Sequence, residues 1–279
     1  MSVWRLRDSA LDLERPLAAG IVNVTHDSFF EGARSGTPER AAEDGARLAE
    51  AGFDLLDVGA VAARSGAPVS PADESARLVL AIELLAASPG LPISADTFSP
   101  LVAREAVAAG AAAINDIGGG RPEMLEAVAD LGCGYVLMHI EGAPRMDRKA
   151  PSYGDPVDHL KAWFAERIEA AVAAGVDEER IVVDPGLDFD LSVADDLAIM
   201  RRLAELHALG RPLYVSLSRK DFLGAVTAGS WENRAPAAER EAATCAAAAL
   251  AVAEGAQILR LHDASALDAL RVADRIAHG

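Results

Sequence analysis

The sequence is poor in cysteine and in long apolar segments. It contains only two cysteines, Cys133 and Cys245, which lie far apart in the 279 residues. This number and spacing exclude a disulfide framework and a cysteine-based zinc site. No apolar segment reaches the roughly 18 uncharged residues of a membrane-spanning helix. The first residues also lack the basic-then-apolar pattern of a secretion signal. We therefore expect a cytoplasmic protein that makes no membrane contact.

Basic residues are also few. The chain has 26 Lys and Arg against 43 Asp and Glu, a formal net charge of −17. This balance argues against a nucleic-acid partner and against a polybasic membrane surface. It does not exclude an anionic substrate, because a few local cations can dominate one pocket. A composition of 51% hydrophobic and 25% charged residues is that of an ordinary globular protein.

What the sequence does contain is a series of short apolar runs that end in polar residues. Eight such runs end at or near Asn23, Asp57, Asp96, Asn115-Asp116, His139, Asp184, Ser218-Arg219-Lys220 and Arg260-Leu261-His262. Helical segments separate them, and three of these begin with a hydroxyl residue followed by proline, at Thr37-Pro38, Ser70-Pro71 and Ser99-Pro100. Buried strands that alternate with helices predict a parallel sheet.

The spacing predicts a single-domain (β/α)8 TIM barrel over residues 18–279, with the site at the carboxyl ends of its strands. Residues 1–17 are expected to form an N-terminal extension or a short hairpin of Val3–Leu6 and Asp12–Glu14. The alternative is an open doubly wound sheet. It is less favoured because the first strand lacks a Gly-x-Gly-x-x-Gly turn and because polar residues end every strand.

Four strand ends carry an amide or a carboxylate: Asn23, Asp96, Asn115 and Asp184. A ring of such groups at a barrel mouth can accept hydrogen bonds from an amino-substituted heterocycle such as a pterin. The alternative is structural, since Asp and Asn often cap the helix that follows a strand. The four residues together favour the binding site.

The last two strands end in groups that can meet an anion, namely Lys220, Arg260 and His262. Loops after the seventh and eighth strands of barrels often bind phosphate. We expect these three side chains to neutralise a diphosphate as it leaves, although a surface charge pair is the alternative. The histidines show no metal-ligand spacing. His139 is expected to shape the site, and His159 is expected to be solvated.

Several of these strand ends match sequence motifs of one family. The matching motifs are Gly20-Ile21-Val22-Asn23-Val24-Thr25, Ile93-Ser94-Ala95-Asp96-Thr97, Ile114-Asn115-Asp116, Leu137-Met138-His139, Asp184-Pro185-Gly186, Ser218-Arg219-Lys220 and Arg260-Leu261-His262-Asp263. In this order and spacing they make the chain resemble dihydropteroate synthase from about Ala18 to the C-terminus. That family is a (β/α)8 barrel, usually a magnesium-dependent homodimer. Its enzymes join 6-hydroxymethyl-dihydropterin diphosphate to 4-aminobenzoate and release diphosphate.

The resemblance implies a role for each matching position. Asp96, Asn115, Asp184 and Lys220 are expected to contact the pterin ring, with Met138 packing near it. Arg260 is expected to stack on the pterin and to contact the phosphates, and His262 is expected to be a second phosphate contact. Asn23 is expected to lie where Mg²⁺ binds. Arg64 and Phe189, in the loops after the second and sixth strands, are further expected substrate contacts.

The chain departs from the family pattern mainly in those two loops and next to Lys220. Gly59-Ala60-Val61-Ala62-Ala63-Arg64 stands where the family reads Gly-Gly-Glu-Ser-Thr-Arg, and Asp188 and Asp190 are added acids. We expect these acids to repel a carboxylated second substrate. Asp221 also departs from the pattern. Two alternative functions follow: a pterin- or reduced-folate-dependent enzyme with another second substrate, including one-carbon chemistry, or a non-catalytic pterin-binding paralogue.

Overall fold

The structure, a computed structural model, describes residues 2–24, 36–62, 68–87, 90–145 and 152–279. The chain begins with a hairpin of β1 (Val3–Arg5) and β2 (Ala10–Asp12). This confirms a hairpin, although its second strand begins two residues earlier than expected. The strand ends at Asp12 because the Asp12 carboxylate accepts the Glu14 N–H at 2.9 Å, forming a turn. Among the described helices, none is long and apolar enough to cross a membrane.

The hairpin covers the amino-terminal end of a barrel. Trp4 is completely buried, and its indole N–H donates to the Arg180 carbonyl at 2.7 Å. Trp4 and Leu6 pack against residues from the starts of several barrel strands, including Leu17 and Leu55. In the described part of the chain, side chains therefore close this end of the barrel, and a ligand site is expected at the opposite end.

Eight parallel strands follow in the described part of the chain. They are β3 (Leu17–Asn23), β4 (Leu55–Gly59), β5 (Ile93–Asp96), β6 (Ala113–Asp116), β7 (Gly134–Met138), β8 (Ile181–Asp184), β9 (Tyr214–Ser216) and β10 (Ile258–Leu261). Their order in the sheet is β8-β7-β6-β5-β4-β3-β10-β9, and a bridge between Val183 and Leu213 connects its two edges. The (β/α)8 barrel is confirmed, and the open doubly wound sheet is excluded because the two edges meet.

Helices pack around the strands. They are α1 (Pro38–Ala51), α2 (Pro71–Ala86), α3 (Pro100–Ala108), α4 (Pro122–Leu131), α5 (Pro156–Ala173), α6 (Val193–Arg201), α7 (Asp221–Ala228), α8 (Glu241–Ala253) and α9 (Ser265–His278). The three predicted hydroxyl caps are confirmed. The side chains of Thr37, Ser70 and Ser99 accept backbone N–H groups of the first helical turns.

The segment between β9 and β10 differs from the sequence-based expectation of one helix over about 235–253. It contains two helices, and α8 begins only at Glu241. A distant side chain supports the start of α7, since the Asp188 carboxylate accepts the N–H groups of Asp221 and Phe222 at 2.5 and 2.9 Å. Local sequence does not reveal a cap that lies 33 residues away. The helix predicted for about 193–209 is also shorter, because α6 ends at Arg201 and a 3₁₀ segment, Leu203–Leu209, follows.

Candidate active site

The strand register brings the predicted polar residues to the carboxyl end of the barrel. Asn23 pairs with Gly59, Gly59 with Asp96, and Asp96 with Asn115, on four neighbouring strands. On the other side, Met138 pairs with Asp184. Because parallel strands all end at the same edge, these side chains surround a single mouth.

Arg260 lies at the centre of this mouth between two carboxylates. Its Nε donates to Asp57 Oδ2 at 2.5 Å, and its Nη2 donates to Asp96 Oδ2 at 2.8 Å. Asn115 Nδ2 also donates to Asp57 Oδ2, at 3.0 Å. Asp57 is fully buried, whereas 17% of the Arg260 side chain is exposed. Two carboxylates therefore hold the Arg260 guanidinium in place. Its Nη1 group makes no hydrogen bond with the described residues.

Asp57 is a functional residue that sequence reasoning missed. The sequence marks it as the polar end of the second apolar run, but the pattern assigns it no role in the site. An acid inside the buried run Leu55–Gly59 is the signal that could have found it, because a buried carboxylate needs a partner. That partner, Arg260, lies 203 residues further along the chain.

Burial changes the acidity of the carboxylates at the mouth. It raises the pKa of Asp96 to about 7, against the attraction of the Arg260 charge, and the charge of Asp57 raises it further. Burial also raises the pKa of Asp184, and the Lys220 charge opposes this. Asp96 can thus gain or lose a proton near neutral pH, which suits the recognition of a heterocycle that carries both donors and acceptors.

Lys220 and an apolar wall complete one side of the mouth. Lys220 Nζ donates to the Leu187 carbonyl at 2.9 Å and lies 4.5 Å from the centre of the Phe189 ring. Phe189 packs with Met138 and with Ile117 in a small buried cluster. The predicted substrate contacts Lys220, Met138 and Phe189 are therefore neighbours. A flat ring could lie on this wall while its polar edge meets the carboxylates.

His262 lies beside Arg260 after β10, the strand next to the β9 strand that precedes Lys220. Its Nδ1 lies 2.9 Å from Ser218 Oγ, and its backbone N–H donates to the same oxygen at 3.3 Å. Burial, together with the charges of Arg260, Arg219 and Lys220, lowers the pKa of His262 to about 3. In the free protein its imidazole is therefore uncharged at pH 7. It would meet an anion as a neutral hydrogen-bond donor.

Comparisons with known proteins identify the family of the chain. The family model described as pterin binding enzyme matches residues 19–262. The dihydropteroate synthase of Mycobacterium leprae is 39% identical over 265 residues, covering 93% of each chain. The chain belongs to the dihydropteroate synthase family. A relative from Escherichia coli, also a dihydropteroate synthase, is 35% identical over 95% of this chain and 93% of its own length.

Solved structures of the dihydropteroate synthase family share the fold over the whole chain. The Xanthomonas albilineans enzyme with 4-aminobenzoic acid has a TM-score of 0.89 and 42% identity, covering 100% of this chain and 99% of that one. The same enzyme with 7,8-dihydropteroate has a TM-score of 0.87 and 41% identity, covering 99% of both chains.

The carboxylates of the two acids that depart from the family pattern bind backbone N–H groups. The carboxylate of Asp188 accepts hydrogen bonds from the first turn of α7, and that of Asp190 accepts the N–H groups of Glu141 and Gly142 at 3.1 and 3.3 Å. Both residues have positive φ angles, 66° and 54°, a conformation that Asp adopts more readily than most non-glycine residues. Backbone N–H groups thus bind both carboxylates, and the expected repulsion of a carboxylated second substrate stays a prediction.

Asp221, another departure from the family, also has a structural role. It is buried, and its carboxylate pairs with Arg240 at 2.7 Å and with Arg234 at 3.3 Å. The preceding Arg219 has a φ of 57° and pairs with Glu241 and Asp263 at 3.0 and 2.7 Å. These ion pairs fix the backbone on both sides of Lys220, so that its ammonium group is held at the mouth.

The remaining predicted residues have different outcomes. Arg64 lies outside the described residues. Asn23 is the half-buried last residue of β3 and lies at the mouth. His159 was expected to be solvated, but its Nε2 lies 2.6 Å from Glu141 Oε1. That expectation is wrong, because the loop after β7 brings Glu141 against α5.

Proposed function

We propose that this protein is a dihydropteroate synthase. It would join 6-hydroxymethyl-7,8-dihydropterin diphosphate to 4-aminobenzoate and release diphosphate. The observation that carries this proposal is the buried set of Arg260, Asp57 and Asp96, which shares one barrel mouth with the apolar wall of Met138 and Phe189 and with His262. In this set, Asp96 would meet the pterin half of the pterin diphosphate, and Arg260 would meet its diphosphate half.

The pterin half is proposed to lie against Met138 and Phe189. Asp96, Asn115 and Asp184 would accept or donate hydrogen bonds at the edge of the ring, and Lys220 would donate to it. Burial on the apolar wall excludes water from the methylene carbon. The electron-rich pterin would stabilise the cation that forms when the leaving group departs, and the exclusion of water would protect that cation from hydrolysis.

The diphosphate half is proposed to meet Arg260 and His262. Nη1 of Arg260 is available to the leaving phosphate oxygens, and the imidazole of His262 can donate a second hydrogen bond. These groups stabilise the charge that develops as the carbon–oxygen bond breaks. The arylamine nitrogen then forms the new carbon–nitrogen bond and loses a proton.

The proposal includes Mg²⁺ on the diphosphate side. The residues present fit it, because the side-chain oxygen of Asn23 is a hard ligand at the mouth, and Mg²⁺ commonly takes few protein ligands together with substrate phosphates. When bound, Mg²⁺ would neutralise part of the diphosphate charge. We also propose that Arg64 contacts the second substrate and that the protein is a cytoplasmic homodimer, on the family resemblance alone.

No structural observation favours the two alternative functions. A different second substrate was suggested by the acids Asp188 and Asp190, whose carboxylates bind backbone N–H groups. A non-catalytic paralogue would need no leaving-group site, yet Arg260 and His262 lie together beside the ring pocket.

A direct assay tests the proposed reaction. Purified protein is incubated with the pterin diphosphate, Mg²⁺ and 4-aminobenzoate, and both diphosphate and dihydropteroate are measured. Equal amounts of the two products are expected. The Asp96→Ala and Lys220→Ala variants should lose pterin binding in calorimetry. Asp130→Asn, which changes an exposed ion pair with Arg104, is the matched control. Tight pterin binding without turnover would contradict the reaction, and diphosphate release without dihydropteroate would indicate another second substrate.

A further inference from the structure

A second cluster of possible ligands lies outside the barrel mouth. His139 follows the last residue of β7, Glu141 lies two residues later, and His159 is in the first turns of α5. Each offers one ligand atom, and these atoms lie within 4.8 Å of one another. Glu141 Oε1 is 2.6 Å from His159 Nε2 and 3.6 Å from His139 Nε2. Sequence spacing did not suggest this cluster, because packing of α5 brings His159 to it.

His139 is the unusual member of the cluster. Its side chain is fully buried, and neither ring nitrogen has a hydrogen-bond partner among the described residues. Its ring lies 5.0 Å from Trp163, 5.5 Å from His159 and 6.5 Å from Phe164 between centroids. A buried polar group without a partner costs about 1–3 kcal/mol. An imidazole that is held in this way, beside a carboxylate and a second imidazole, is suited to bind a cation.

We propose that His139, Glu141 and His159 bind a divalent transition metal ion of the Zn²⁺ class, with water as a further ligand. Two imidazoles and one carboxylate match the ligands of open zinc sites. They do not match Mg²⁺ or Ca²⁺, which prefer oxygen ligands. Tetrahedral Zn²⁺ with bonds of about 2.0–2.1 Å requires ligand atoms about 3.3 Å apart. The observed separations of 2.6 and 3.6 Å from Glu141 lie on either side of this value.

The cluster is partly exposed on one side. Glu141 and His159 are 36% and 31% exposed, whereas Nε2 of His159 and the whole His139 side chain are buried, so protein would enclose the ion on its inner side. The metal would join the end of β7 to α5. It would also lie behind the apolar wall, since His139 follows Met138 in the chain and its backbone N–H donates to the Asp184 carbonyl at 2.9 Å. This site is distinct from the proposed Mg²⁺ position, and the inference does not depend on the proposed function.

Titration of the metal-free full-length protein with Zn²⁺ alone tests the proposal. Calorimetry should show one Zn²⁺ per chain, and His159→Gln and Glu141→Gln should each weaken this binding at least about tenfold, since even residues that only support ligands cost 10–100-fold. His207→Gln is the matched control, because His207 is an exposed histidine on another segment. Both ligand positions are partly exposed, so these variants should fold, which circular dichroism would verify.

Two further measurements distinguish the site from adventitious binding. Co²⁺ should give visible absorption bands of a four- or five-coordinate site without the near-ultraviolet band of a thiolate ligand, because the three ligands of the cluster include no cysteine. Zn²⁺ should raise the melting temperature of the wild type and of His207→Gln, but not that of His159→Gln. Absence of saturable Zn²⁺ binding, or equal affinity in His159→Gln and the wild type, would overturn the proposal.

Discussion

Replacement of Asp57 by asparagine tests the buried charges below the mouth. The substitution keeps the volume of the side chain but removes the negative charge that faces Arg260 Nε at 2.5 Å. Asn115 can still donate to the new amide oxygen, so the main loss is the pairing of Arg260. Asp96 remains as a second partner of the guanidinium, at 2.8 Å.

The expected loss of stability follows from this burial. Removal of one partner of a buried ion pair costs about 3–5 kcal/mol, because the other charge is left without compensation. Arg260 keeps Asp96 and is 17% exposed, which reduces the cost. We therefore expect a decrease of about 2–3 kcal/mol in the free energy of unfolding. For a chain of this size, that corresponds to a fall in melting temperature of roughly 4–12 °C.

Urea and thermal unfolding of the substrate-free protein measure this loss. The control is Asp130→Asn, whose ion pair with Arg104 is exposed and should contribute less than about 1 kcal/mol. A second readout is the acidity of Asp96. The negative charge of Asp57 raises the pKa of Asp96, so that pKa should fall in Asp57→Asn. If Asp57→Asn is no less stable than Asp130→Asn, and the pKa of Asp96 does not change, Asp57 does not support Arg260 in the way described.

Three further predictions concern the mouth and its supporting backbone. Burial raises the pKa of Asp96 from 3.8 to about 7, so between these pH values Asp96 is protonated in the folded protein and ionised in the unfolded chain; the contribution of Asp96 to stability should therefore fall as pH rises from about 4 to 7. Asp96→Asn should remove this pH dependence of the urea midpoint, and an unchanged pH dependence would contradict the assignment. Lys220→Met removes a charged hydrogen-bond donor, and a hydrogen bond from such a donor contributes about 1.5–3 kcal/mol to binding. Calorimetry should therefore show pterin affinity reduced roughly 10- to 150-fold. A change below about twofold would exclude Lys220 from the pocket. Gly186 and Gly210 have similar φ angles, 68° and 66°, but a Cβ at Gly186 would lie 2.1 Å from the His139 carbonyl oxygen, whereas nothing lies within 4 Å at Gly210. Gly210→Ala should therefore cost about 1–2 kcal/mol in thermal unfolding, and Gly186→Ala on the order of 3 kcal/mol or more; equal costs would show that the close approach is not important.

Local sequence was sufficient for much of the barrel. The caps at Thr37, Ser70 and Ser99 were predictable because a hydroxyl side chain bonds to its own helix within three residues. The strands were predictable because burial on both faces requires a continuous apolar run. The second helix between β9 and β10 was not predictable, since α7 is supported by Asp188 from a distant loop.

The residues at the mouth were predictable for a similar reason. In a barrel, the end of every parallel strand lies at one edge, so the polar residues that follow each apolar run must come together there. Asp96, Asn115 and Asp184 can therefore be assigned to one site from the sequence pattern alone. Their order around the mouth follows from the strand register.

The sequence by itself thus determined the barrel, the end that carries the site and the family, because all three depend on patterns within a strand and its following turn. Only the tertiary structure decided which charges meet. It pairs Asp57 with Arg260, directs the Asp188 carboxylate to the start of α7, and brings His159 to Glu141 and His139. These contacts join residues on separate strands and loops, so they depend on how the elements pack.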